Sequence, residues 1–92
     1  MYTIKYTRSF EKDFKRCKQR GYEMDALNVV MQLLERDGVL PAQYKPHKLS
    51  GKYNHRWECH IKPDWLLVWD KNDTELIMLL MRTGTHSDIF GR

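Results

Sequence analysis

Apolar and polar positions change their period along this chain, and each change marks an element. Tyr2–Tyr6 alternates β-forming side chains, which predicts a short first strand. Thr7 and Ser9 are both suitable N-caps for a following helix. In that helix Phe10, Phe14 and Cys17 fall at i, i+4 and i+7 and make one apolar stripe, with Lys12, Lys15, Arg16 and Lys18 off it. Gly21 suits the position just past the helix end. A second helix is predicted from Glu23 to Asp37, where Leu27, Val30, Met31 and Leu34 repeat at helical spacing and Gly38 closes the run. Two amphipathic helices with so short a link make an αα-hairpin, and its apolar face needs a sheet to cover.

After the proline-containing stretch Val39–Ser50, which reads as a loop, the period becomes two. Trp57, Cys59 and Ile61 share one face of a strand, and Arg56, Glu58 and His60 share the other, expected to be open. Pro63-Asp64 turns the chain. Trp65–Asp70 is a nearly continuous apolar strand, Lys71-Asn72-Asp73 a hairpin turn, and Thr74–Arg82 a further strand, central because both its faces are apolar. Thr83–Arg92 reads as a polar tail. The order β-α-α-β-β-β defines an α+β domain over residues 1–92, with the two-helix hairpin packed on one face of a mainly antiparallel sheet. Repeats and low-complexity segments are absent from the sequence.

Composition adds a partner class. The 92 residues carry a net charge of +4, which suits a polyanion or an acidic protein. The charge is unevenly spread. Residues 1–37 hold eight Lys/Arg against six Asp/Glu, whereas residues 45–62 hold five (Lys45, Lys48, Lys52, Arg56, Lys62) against Glu58 alone. No apolar run approaches the ~20 residues that span a bilayer, and the N-terminus lacks a secretory pattern, so a soluble cytoplasmic protein is expected. Cys17 and Cys59 form no C-x-x-C pair and read as two buried thiols.

All four histidines lie between His47 and His86, outside the two helices and the first strand. Imidazoles give and take protons near neutral pH. His60 sits on the polar face of its strand, with Asp64 and Trp65 at the hairpin after it. Arg82 ends the last strand, His86 follows on a glycine-containing loop, and Phe90 lies near the C-terminus. Such a set fits RNA cleavage. A base removes the 2′-OH proton, an acid protonates the leaving 5′-oxygen, a guanidinium stabilises the charged phosphorane, and exposed aromatics stack bases. None of this needs a metal or other cofactor. Zinc ligands usually come as close pairs, whereas His55 and His60 lie five apart on one strand and face opposite sides, so no metal site is expected.

The strings "YKPHKLSGKYNHRWECHIKPDWLLVW" and "MRTGTHSDIFG", with H-x₃-DW and RTGTH-x₃-F inside them, resemble the YafQ-type mRNA interferases of the RelE toxin superfamily. The resemblance covers essentially the whole chain and implies the RelE-like microbial RNase fold. It implies a type II toxin: a ribosome-dependent endoribonuclease that cuts translated mRNA in the A site, blocked by an acidic, DinJ-like antitoxin. The family's active-site positions fall on His47, His60, Asp64, Trp65, Arg82, His86 and Phe90. Relatives elsewhere in the superfamily rely instead on lysines, arginines and a tyrosine.

On this reading His86 is the general acid, or the acid–base partner, at the leaving group, His60 with Asp64 is the base for the 2′-OH, and His47 shares that work or grips the phosphate. Arg82 stabilises the phosphorane, while Trp65 and Phe90 position bases or shape the pocket. Lys45, Lys48, Lys52 and Arg56 bind rRNA or mRNA phosphates, and His55 is structural or merely close to RNA. A gyrase-poisoning toxin of the ParE type and a non-catalytic RNA- or ribosome-binding module are the alternatives.

Overall fold

The structure, a computed structural model, describes residues 1–51 and 56–91. Lys52 and His55 therefore lie outside the described residues. Strand β1 (Thr3–Tyr6) leads into helix α1 (Arg8–Gln19). Of the two candidate caps, Thr7 does the work: its backbone is extended and its Oγ1 accepts the Phe10 N–H at 3.0 Å. Helix α2 (Met24–Asp37) stops at Gly38, whose left-handed φ of 72° closes the last turn through Leu34 O. A Cβ there would also run into the Tyr2 ring, so this corner requires glycine twice over.

Strands β3 (Arg56–Lys62), β4 (Trp65–Asn72) and β5 (Ile77–Gly84) form the centre of the sheet. A two-residue strand β2 (His47–Lys48) pairs on one side and β1 on the other, in the order β1-β5-β4-β3-β2. β1 runs parallel to β5, and every other pair is antiparallel. Between Thr3 and Ile77 the parallel pairing needs a long crossover, and the two helices are part of it. β5 is central, as its two apolar faces require.

The helices cover one face. Phe10 and Cys17 of α1 and Leu27, Val30 and Leu34 of α2 close over Cys59, Ile61, Leu67, Trp69, Met78 and Leu80. Alternation places Leu66 and Val68 of β4 on the opposite face, where Ile89 buries them and Leu49, Met81 and Phe90 pack around them. Both thiols are free and buried, and burial pushes Cys59 up to about 12 and raises Cys17 as well, so neither is a reactive thiolate. No helix among the described residues is long and apolar enough to cross a membrane.

Four expectations need correction. Val39–Ser50 is not all loop. A turn of 3₁₀ helix at Ala42–Tyr44 ends on Lys45, whose positive φ of 50° redirects the chain into β2. Two residues carry no readable period, so only pairing with β3 reveals that strand. The polar tail is also structured, because β5 runs to Gly84 and a short helix α3 (His86–Phe90) follows. Thr85 caps α3 reciprocally with Asp88, a [ST]-x-x-D capping box that is visible in the sequence. The β4–β5 turn lies at 73–76, later than predicted, because Asn72 bonds both the backbone and the side chain of Glu75. Finally, the polar face of β3 is not open throughout, since Glu58 on it is buried.

Candidate active site

The site forms on the sheet face opposite the helices. His47 on β2, His60 on β3 and His86 at the start of α3 stand in a row, with ring centroids 6.5 and 6.2 Å apart. Phe90 extends the row 6.1 Å beyond His86. Cross-strand pairing sets the spacing. His47 faces Glu58 across β2–β3, and His60, two residues on from Glu58, shares its face. α3 then brings His86 in from the far side, with His86 and Phe90 at i and i+4 on one helical face.

Each ring is held at Nδ1. That of His47 lies 2.9 Å from Lys45 O, that of His60 3.2 Å from Pro63 O, and that of His86 3.1 Å from Asp64 Oδ1. Carbonyl and carboxylate oxygens only accept, so each Nδ1 donates. For His60 and His86 this fixes the chemistry at Nε2. Asp64 additionally accepts the His86 backbone N–H at 3.2 Å, and its bond to the His86 ring lowers its carboxyl below the usual carboxylate range. The pairing of Asp64 differs from the sequence reading. Asp64 supports His86 rather than His60, because β3 bulges at Ile61 and the tight turn after it swings Asp64 towards α3.

Arg82 is aimed by a second bulge. Val68 pairs with Arg82 and Trp69 with Leu80, so Met81 is the extra residue, and Arg82 reaches the helix-free face beside Val68. There it lines a cleft of about 230 Å³ together with Arg56, Leu49, Ile89 and Phe90. Its guanidinium is anchored from α1. Nε donates to Asp13 Oδ2 at 2.6 Å, and Nη2 reaches Asp13 Oδ1 at 3.3 Å and Asp88 O at 3.0 Å. Asp13 is buried and also accepts from Arg16 Nη2 at 2.7 Å and the Thr83 N–H at 3.1 Å. Asp88 takes Arg20 bidentately at 2.6 and 3.1 Å, and that guanidinium holds its carboxyl far below the usual range. These ion pairs tie α1 to both Arg82 and α3.

Not every candidate converges. The Trp65 ring is 3% exposed, packs edge-on against Tyr22 at 4.8 Å on the helix side, and donates Nε1–H to Thr83 Oγ1 at 2.9 Å. It can fix the end of β5 but offers no face to a base. Lys48 alternates away from His47, and its ammonium lies 5.7 Å from the Trp57 ring centre on the helix side. Lys45 is exposed at the β2 end of the row. Among the described residues no group of three or more His, Cys, Asp or Glu is arranged to hold a metal. Sequence reasoning missed Glu58, Asp13 and Asp88. Asp13 had a signal: it sits between Phe10 and Cys17 on the apolar stripe, at i+3 from one and i−4 from the other.

A histidine row beside an arginine-lined cleft on an α+β sheet is a site equipped for proton transfer at a phosphate. The family described as "Bacterial toxin of type II toxin-antitoxin system, YafQ" matches residues 2–91. The chain is 36% identical over 89 residues to the mRNA interferase toxin YafQ of Escherichia coli K12, covering 96% of this chain and 95% of that one. The crystal structure of YafQ from E. coli BL21(DE3) superposes with a TM-score of 0.91 at 34% identity, covering 99% of this chain and all (100%) of that one. The toxin in an E. coli DinJ–YafQ complex superposes with a TM-score of 0.89 at 35% identity over 99% of this chain and 100% of that chain. The chain belongs to the YafQ family of type II toxins.

Proposed function

We propose that this toxin is an mRNA interferase, an endoribonuclease that cuts mRNA held in the ribosomal A site. The observation that carries the reading is the row His47–His60–His86, with two rings primed at Nε2, beside the Arg82 cleft. His60 Nε2 takes the 2′-OH proton, and O2′ attacks the adjacent phosphorus. Arg82 stabilises the charge that builds on the phosphorane oxygens. The P–O5′ bond breaks as His86 Nε2 donates a proton to the leaving oxygen, while Asp64 keeps the His86 Nδ1–H in place. The products are a 2′,3′-cyclic phosphate and a 5′-OH. Phe90 lies where a base adjoining the scissile phosphate can stack. Lys45 and Arg56 contact phosphates on the same face. Lys52, outside the described residues, belongs to the same basic segment. The ribosome enters the proposal from the family resemblance and from the basic surface.

The protein's partner in the cell is, on this reading, an acidic antitoxin. E. coli YafQ forms a complex with DinJ, and the net charge of +4 here suits an acidic chain. Co-expression with the product of the adjacent gene and pull-down tests this.

The activity is tested by incubating purified protein with programmed ribosomes and mapping cuts and end chemistry. Cleavage at the A-site codon with cyclic or 3′-phosphate ends is expected. His86→Ala and Arg82→Ala should each cost roughly 10²–10³-fold in single-turnover rate. Intact mRNA, or variants that cut at wild-type rates, would overturn the assignment.

A further inference from the structure

We infer that Arg20, the C-cap of α1, is a positioning residue for His86 and acts through its bidentate grip on Asp88 of α3. The inference rests on the nuclease reading above. α3 has five residues, far fewer than the ~12–15 at which a helix becomes even marginal by itself. Its placement therefore comes from tertiary contacts, and it carries both His86 and Phe90. Asp88 is where those contacts meet. Its Oδ2 accepts the Thr85 N–H at 2.9 Å and Arg20 Nη1–H at 2.6 Å, and its Oδ1 accepts Arg20 Nη2–H at 3.1 Å. One carboxylate thus closes the cap of α3 and fastens that cap to α1.

A short rigid helix is fixed by three points that are not in line. Asp64 holds the His86 end, through the ring at 3.1 Å and the backbone N–H at 3.2 Å. Ile89 is buried against Leu66 and Val68 of β4. Those two contacts leave the helix free to swing about the line that joins them. Arg20 supplies the third point, from an element 68 residues away in sequence. Exposed ion pairs usually contribute little, but a bidentate arginine–carboxylate pair has the geometry that does, and it fixes direction as well as distance. The Asp88 side chain in this pair is only 12% exposed.

The neighbouring cations do not replace Arg20. Arg16 Nε stands 3.9 Å from Asp88 Oδ1, beyond hydrogen-bond reach, and Arg16 gives its Nη2 to Asp13 at 2.7 Å. Arg82 Nη2 reaches Asp88 O at 3.0 Å, but on the nuclease reading that guanidinium is shared with the substrate. Arg82 also has its own anchor in Asp13, so losing Arg20 displaces His86 and leaves Arg82 aimed. The consequence is specific to one step. His60 on β3 still takes the 2′-OH proton, whereas the P–O5′ bond breaks without a well-placed acid.

The test measures single-turnover cleavage on programmed ribosomes by wild type, Arg20→Ala, Arg20→Lys and Asp88→Asn. Asp88→Asn is included because the Arg20 guanidinium also meets the Tyr22 side chain. Each mRNA is made with oxygen or with sulfur as the leaving 5′ atom. A thiolate leaves without taking up a proton, so only the oxygen mRNA needs the acid. Arg20→Ala and Asp88→Asn should each lose up to about 100-fold in the saturating rate on oxygen mRNA, the scale for a misplaced group, with half-saturation unchanged. Both should cut the sulfur mRNA at the wild-type rate. Arg20→Lys keeps the charge but not the two-pronged grip, and should fall between. Wild-type rates on oxygen mRNA, or equal losses on both, would overturn the inference. His86→Ala is the control, expected to lose on oxygen alone. A loss on both would remove His86 from the acid role and the inference with it. If wild type cuts neither mRNA, the nuclease reading falls, and amide exchange at Ile89 and Gly91, whose N–H groups bond within α3, judges the anchor separately. Faster exchange in Arg20→Ala upholds it, and unchanged exchange overturns it.

Discussion

Asp64 Oδ1 accepts from both the ring Nδ1–H and the backbone N–H of His86, at 3.1 and 3.2 Å, so one carboxylate fixes the ring and the first turn that carries it. Hydrogen bonding to His86 holds the Asp64 carboxyl below its usual range. A depressed carboxyl contributes stability that is complete above its unfolded pKa of about 3.9 and is lost as pH falls through the folded value. Asp64 thus stays ionised across the neutral range. Asp64→Asn should lower cleavage by up to about 100-fold, as expected for a mispositioned acid, and lower the thermal midpoint at neutral pH only slightly because the contact is solvent-exposed. On acidification below about pH 4 the wild type should lose that small margin, so that the two melting temperatures converge. Parallel melting curves and single-turnover rates check both statements.

The Asp13–Arg82 pair makes a prediction of the opposite kind, with stability and activity lost together. Asp13 is 2% exposed and accepts from two guanidinium groups and a backbone N–H. Breaking a buried pair costs about 3–5 kcal/mol. The two arginines are partly exposed and can rehydrate, which places Asp13→Ala near the lower end, at about 3 kcal/mol. For a domain of this size that is roughly 12–24 °C in melting temperature. Arg82→Ala should lose activity with a smaller thermal penalty, since Asp13 keeps Arg16 and Thr83. Calorimetry on both variants separates the two effects.

The parts of this fold that could be read from the sequence are those with enough length to show a period. α1 and α2 repeat their apolar stripe over several turns, and β3 to β5 alternate or run apolar for longer than a turn could. β2 has two residues and no period, so its existence depends on β3. α3 has five, and its signal was chemical instead: Thr85 and Asp88 at capping-box spacing, with Gly91 behind them. The histidine row was visible as residue types confined to one half of the chain, but its pairings were not. Asp64 lies closer in sequence to His60 than to His86, yet the bulge at Ile61 sends it to His86. Alternation correctly set Glu58 beside His60, whereas its burial depends on how strands and side chains pack in three dimensions. Gly84 shows the same limit. Its φ of 143° and the 2.7 Å approach of Asp88 Oδ2 to where a Cβ would stand explain the glycine only once α3 is in place.

Basic residues on the two faces of β2 and β3 should behave differently. Arg56 lines the cleft with Arg82, whereas Lys48 lies over Trp57 on the helix side. A phosphate contact removed by mutation reduces the salt dependence of binding by about one unit of slope. Arg56→Ala should show that reduction in ribosome binding across a salt series. Lys48→Ala should leave the slope unchanged. Equally reduced slopes for the two variants would mean that both faces meet RNA, and two unchanged slopes that neither side chain meets phosphate.

Trp65 offers the sharpest separation of a core role from a base-stacking one. Its ring is buried against Tyr22, and its N–H is satisfied by Thr83 Oγ1, whose own hydroxyl donates to Leu66 O at 2.7 Å. This chain of bonds joins β4 to the end of β5, two residues before the Thr85 cap of α3. Trp65→Ala should therefore cost about 3–5 kcal/mol by emptying a core site. Trp65→Phe keeps most of the packing and loses one hydrogen bond, for about 0.5–1.5 kcal/mol plus the smaller ring's lost contacts. If Trp65 acts only through the fold, cleavage by the Phe variant at a temperature well below its melting point should stay close to wild type. If it stacks on RNA, the Phe variant should also keep half-saturation near wild type, whereas Trp65→Leu should raise half-saturation sharply. The burial of the ring predicts that Trp65→Leu changes the melting temperature and leaves half-saturation alone, and thermal melts run beside binding titrations on the two variants decide it.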